Sequence, residues 1–149
     1  MTTHHPLSPN GATHALLDAN VLLPPRLSDV MFDLCLEGLY SARWSEQIEE
    51  EFLRNWPRVV AKAKGELTAR ELGKEREKAQ RRLSCYQGAV REYEVFGHDK
   101  DAVLKRVPGS VHAGDKHVAA ASLVLLDYAE APNDRVFLVS SNLSHLAVA

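Results

Sequence analysis

The stretch HALLDANVLLPP, His14–Pro25, decides the fold. Ala15, Leu16 and Leu17 before Asp18, and Val21, Leu22 and Leu23 after it, read as buried material. Asp18 interrupts them, and a carboxylate is costly to bury unless it is paired or binds a cation. On the residues alone two readings stay open. Asp18 opens an Asx-type turn with Asn20, or the chain needs a carboxylate at the end of a buried strand. Pro24 and Pro25 end the turn that follows.

Working outward, strands and helices alternate. Ser28 reads as the N-cap of a helix carrying Val30, Met31, Leu34 and Cys35 on one side, stopped by Gly38. LYSARW reads as a short strand. Ser45 caps SEQIEEEFLRNW, whose Ile48, Phe52 and Trp56 recur every four positions. Pro57 marks a kink or a new start. Residues 58–95 are charged and helical in pattern, with breaks near Gly65 and Gly73, and suggest a helical hairpin. FGHDKD and the segment up to Gly114 read as irregular. Asp115 opens DKHVAAASLVLLDYAEA, a helix with an alanine-rich packing face, and RVFLVSS after the turn APND is a strand. This alternation predicts an α/β fold with a mostly parallel sheet. Residues 1–13 read as a flexible lead-in and 14–149 as a single domain.

Length and composition narrow the function classes. A chain of 149 residues fits one domain. Two cysteines without CxxC or Cys/His zinc spacing read as reduced thiols of a cytoplasmic protein. No apolar run approaches the roughly 18 residues of a membrane span. No Gly-rich phosphate loop occurs, and neither Ser84-Cys85 nor Ser140-Ser141 has a nucleophile-elbow context. The net charge is −2 but unevenly spread: residues 54–106 hold 14 Lys/Arg against 8 Asp/Glu, a net +6. A basic middle suits a polyanion, and acidic flanks suit a cation.

The acids carry the chemistry. In open α/β sheets, sites form beyond the carboxyl ends of the strands. Asp18 belongs at the end of the first strand, and Ser140, Ser141 and Asn142 at the end of the last. Asp115 starts a helix that can face the same edge. On the helix after Ser45, at about 100° per residue, Phe52 lies about 40° to one side of Ile48 and Glu51 about 60° to the other. Glu51 therefore borders the buried stripe, with Asn55 one turn on, while Glu50 points away. Two carboxylates about 4 Å apart repel by roughly 4 kcal/mol at an effective dielectric near 20. If Asp18, Glu51 and Asp115 converge, one is protonated or a hard cation such as Mg²⁺ or Mn²⁺ neutralises them. Taken singly, Asp115 reads equally as a helix cap and Glu51 as one more solvated acid. His112 and His117 read as loop polarity and helix surface rather than as a transition-metal pair.

These residues resemble a known family. LLDANVLL is similar to the opening strand motif of PIN domains. GLYSARWSEQIEEEFLRNW resembles a prokaryotic PIN branch whose helix carries WS, an acid, then RN. GDKHVAAAS resembles the third motif, and LVSSNLSHL the final one, in the same order along positions 15–146. No such motif falls on residues 58–106. The resemblance implies a three-layer α/β/α domain and a metal-dependent endoribonuclease, often the toxin of a type II toxin–antitoxin pair. It assigns Asp18, Glu51 and Asp115 to Mg²⁺ or Mn²⁺, and Ser140 and Asn142 to positioning a water or phosphate. RNA, an antitoxin protein and a second copy of the chain are the partners it implies. The family's later acid falls on His145 and its phenylalanine on Leu146, so three acids stand at matching places. That departure keeps a second expectation alive, a PIN-like module that binds RNA or a partner protein without cutting it.

Overall fold

The computed structural model describes residues 12–129 and 134–141. Three parallel strands, β1 (Thr13–Leu17), β2 (Ser41–Arg43) and β3 (Arg135–Val139), form an open sheet in the order β2-β1-β3. Central β1 pairs with Arg43 through Leu16 and with Val139 through Leu17. Leu16 and Leu17 point to opposite faces, and both are fully buried. Both faces of β1 are therefore covered, as a parallel sheet requires. The α/β expectation holds, and β1 already begins at Thr13, inside the stretch read as a lead-in.

Six α-helices are described: α1 (Ala19–Leu22), α2 (Pro25–Leu36), α3 (Glu46–Lys64), α4 (Ala69–Ala89), α5 (Asp101–Leu104) and α6 (Lys116–Tyr128). α3 begins where the sequence places it, with Ser45 Oγ accepting from Ile48 N at 3.3 Å. Ile48 and Phe52 are completely buried, and Pro57 is carried inside the helix. Gly65 ends it at φ +90°, a backbone region that L side chains rarely adopt. α6 packs on β1 and β3 through Val118 and Ala121. Trp44 sits at the centre of the core, stacked on Tyr93 at 4.4 Å and edge-on to Phe32. A lone parallel bridge to Glu94 extends the sheet beside Trp44.

Several local expectations are corrected. Ser28 does not cap α2; Pro25 occupies its first position, where proline's missing N–H costs nothing. Ser28 is instead buried inside the helix, and Val30 and Leu34 face outward, because Phe32 is the residue that reaches the core. Gly73 does not break the basic segment. It lies in α4, which a Thr68–Glu71 capping box starts four residues earlier. The turn APND overlaps residues 130–133, which lie outside the described residues.

The α3–α4 hairpin confirms the helical reading of the basic middle, yet not all its cations face solvent. Glu75 is buried and accepts from Trp56 Nε1 at 3.0 Å and Lys78 Nζ at 3.2 Å, and these bonds hold its pKa below the usual carboxylate value. Arg82 reaches across to α2, donating to Asp29 Oδ1 at 2.7 Å, Ser28 Oγ at 3.0 Å and the Pro25 carbonyl at 3.1 Å. It also donates to the Tyr86 hydroxyl. Arg82 thus clamps α4 to α2, whereas Arg81 beside it is exposed. Hydrogen bonds involving a charged group contribute about 1.5–3 kcal/mol. Arg82→Gln is expected to lower stability by about 2 kcal/mol in urea unfolding, and Arg81→Gln to leave it unchanged. Equal midpoints for the two variants would remove the clamp.

Candidate functional site

The parallel topology builds the site at one sheet edge. The β1–β3 register aligns Leu17 with Val139, so the next residues, Asp18 and Ser140, emerge side by side at the carboxyl end. β1 is central, with β2 on one side and β3 on the other, which makes this edge a switch point where α/β proteins place ligands. Asp18 N donates to the Val139 carbonyl at 3.1 Å, locking the two strand ends together.

The Asp18 carboxylate is buried, 3% exposed. Both its oxygens are held. Oδ1 accepts from Ala19 N at 2.7 Å, making Asp18 the N-cap of the one-turn helix α1, and Oδ2 accepts from the Ser140 hydroxyl at 2.8 Å. Burial raises its pKa, the bonds from Ser140 and Ala19 pull it down, and the charges of Glu51 and Asp115 push it up again. Among the described residues, no three His, Cys, Asp or Glu side chains form a group that could hold a metal ion.

Glu51 lies on α3 at the border of the buried stripe, as helical geometry predicts. His117 Nε2 donates to its Oε1 at 2.7 Å, and Arg54 approaches the same oxygen at 3.9 Å. Asp115 ends a 3-10 turn (Ala113–Asp115), one residue before α6, and its side chain makes no capping bond to the helix. Asp115 thus occupies the N-cap position of α6 expected for it, without a side-chain bond to the helix. Glu49, two residues before Glu51, serves the core instead. It accepts from Trp44 Nε1 at 2.9 Å and from Gln87 Nε2 at 2.9 Å. Ser140 stands where the sequence places it. Asn142, like His145 and Leu146, lies outside the described residues.

Two residues that the sequence reads as a turn partner and as helix surface belong to the site. Asn20 Nδ2 donates to Ser140 Oγ at 3.2 Å, and its Oδ1 accepts from Ser141 N at 3.1 Å, tying the end of β3 to the turn after Asp18. The Asp-Ala-Asn spacing carries that signal. His117 is no surface residue; it is 8% exposed because its ring turns inward to Glu51. His112 does stay exposed, its Nδ1 accepting from Gly114 N at 3.2 Å to start the 3-10 turn.

No family model, no curated protein and no solved structure matches the chain. No helix among the described residues is long and apolar enough to cross a membrane. Asp18, Glu51, Asp115 and the Ser140 hydroxyl offer oxygen atoms only, without forming a metal-holding group among the described residues. Such donors suit a hard divalent cation rather than a soft one.

Proposed function

We propose that this chain is a Mg²⁺- or Mn²⁺-dependent endoribonuclease, a three-layer α/β/α domain of the PIN type. One observation carries the reading. Asp18 is buried at the carboxyl end of the central parallel strand, its oxygens fixed by Ala19 N and Ser140 Oγ. A carboxylate buried there is costly unless it is neutralised, and a divalent cation would turn that cost into binding.

Asp18, Glu51 and Asp115 would hold the cation. When bound, it supplies an activated water and positive charge against the phosphodiester as negative charge builds there. The chain's own residues set the geometry. Ala19 N–H and Ser140 Oγ–H fix both oxygens of Asp18, and Asn20 fixes Ser140. His117 fixes Glu51 Oε1, as outer partners of carboxylate ligands commonly do. The resemblance places Asn142 beside Ser140 for positioning the attacked phosphate. The toxin role, an antitoxin protein and a second copy as further partners rest on that resemblance alone.

RNA as the polyanion is supported by the outer face of the hairpin. Lys74, Arg76 and Arg81 are exposed and make no ion pair among the described residues. Replacing Arg76 and Arg81 with Gln is expected to weaken single-stranded RNA binding. The slope of log affinity against log salt should fall by roughly 0.7 for each phosphate no longer neutralised. An unchanged slope would leave the hairpin as a solvated face.

The deciding experiment is incubation of a mixed RNA pool with the protein and Mn²⁺, with and without EDTA. Cleavage that EDTA abolishes is expected. RNA that is bound but left intact would replace the nuclease with the non-cleaving module.

A further inference from the structure

A cavity of about 340 Å³ opens directly beside Glu51. Gln47 and Glu51, one turn apart on α3, form one wall; His98 and Asp99 form a second, and Lys116 and His117 at the start of α6 a third. Two imidazoles meet α3 in the same way. His98 Nε2 donates to Gln47 Oε1 at 3.0 Å, and His117 Nε2 donates to Glu51 Oε1 at 2.7 Å. Both rings are at least nine-tenths buried, and His117 Nδ1 is buried without a hydrogen-bond partner among the described residues. A buried polar atom left in that state is expensive, and in native structures it commonly awaits a ligand or water.

We infer that this cavity is a subsite for one nucleotide of the RNA, next to the bond that is cut. The inference rests on the nuclease reading for the ligand's identity. Its volume lies at the small end of ligand cavities, room for one ring-bearing ligand rather than a peptide. The walls offer what a nucleobase edge needs: an amide at Gln47, an acceptor at Asp99 and ring nitrogens at His98 and His117. Lys116, exposed at the rim, supplies a cation for the adjoining phosphate. Glu51 belongs to both the cavity wall and the acidic edge, so a nucleotide seated here carries its phosphate toward Asp18. His117 connects the two, lining the cavity with its ring while holding Glu51.

The test uses the full chain in EDTA, titrated with each of the four nucleoside 5′-monophosphates while the His98 and His117 ring resonances are followed by NMR. A saturable shift of both rings is expected with at least one nucleotide. Asp99→Asn and Lys116→Gln, both at exposed rim positions, should weaken it at least tenfold. Ala113→Phe, which plugs the mouth, should abolish it with thermal unfolding unchanged. Rings that stay silent with all four nucleotides overturn the subsite, as does a shift that survives the plug. If Mn²⁺-dependent RNA cleavage occurs while the rings stay silent, the nuclease reading stands and the subsite fails. If the rings respond and no RNA is cut, the cavity still binds nucleotides and the nuclease reading fails.

Discussion

Asp18→Asn is expected to reduce RNA cleavage at least about a thousandfold, equivalent to about 4 kcal/mol of transition-state stabilisation, while leaving the fold intact. The geometry allows the swap. Asparagine caps a helix as well as aspartate does, and its Oδ1 can still accept from Ala19 N. Its Nδ2 would then donate to Ser140 Oγ. That hydroxyl has a second acceptor in Asn20 Oδ1 at 3.4 Å and can turn toward it. Electrostatics makes the variant at least as stable as the parent in EDTA. The folded pKa of Asp18 is raised above its ordinary value of 3.8, chiefly by burial, so the folded state binds more protons than the unfolded one as pH rises past that value. Wild-type stability from this group is therefore full below 3.8 and is lost as pH climbs through the folded pKa. The gain in Asp18→Asn should be absent near about pH 4 and present at neutral pH. Urea unfolding at both pH values checks the sign, and RNA cleavage checks the rate. Wild-type cleavage by the variant would dissolve the assignment of Asp18 to the metal.

Asp18, Glu51 and the parallel sheet are legible because each obeys a short-range rule. A charge that interrupts an apolar strand marks a strand end, and three residues on from Ile48 marks a helix flank. The same locality explains the errors. Ser28 looks like a cap because serine caps helices, but Tyr86 and Arg82, more than fifty residues away, draw it into the α2–α4 contact. Gly73 looks like a break because glycine weakens helices, yet the capping box ahead of it and the burial of Glu75 and Ala79 behind it carry α4 through. His117 looks like surface because a polar ring near a helix start usually is. Only Glu51, within direct hydrogen-bonding reach on α3, turns it inward. Arg82 looks like one more cation of the basic middle, because nothing local reveals that α2 lies beneath it. Pattern finds acids at element ends; it does not find the residues that aim them.

The three consecutive glutamates of α3 should separate into three phenotypes. Glu51→Gln is expected to lose at least about a hundredfold in cleavage and to need more Mn²⁺, since it removes a charge at the acidic edge. Its fold should survive, because Gln Oε1 can still accept from His117 Nε2. Glu49→Gln is expected to do the opposite. Its carboxylate accepts from Trp44 Nε1 and Gln87 Nε2, joining the buried tryptophan beside β2 to α4. An amide in its place sets its NH₂ against the Gln87 NH₂ where a carboxylate oxygen now accepts, which costs about 1–3 kcal/mol. For a chain of this size that lowers Tm by roughly 4–8 °C at about 2 kcal/mol, with activity at low temperature retained. Glu50 is exposed, and its Gln variant should stay within about 0.5 kcal/mol of the parent. Thermal unfolding, cleavage rate and Mn²⁺ titration of the three variants decide the matter together. The structural role of Glu49 and the catalytic edge at Glu51 are separate claims, and each fails alone: the first if Glu49→Gln melts with the parent, the second if Glu51→Gln cuts with it. Equal losses at all three positions would reduce this turn of α3 to an acidic surface and withdraw Glu51 from the site.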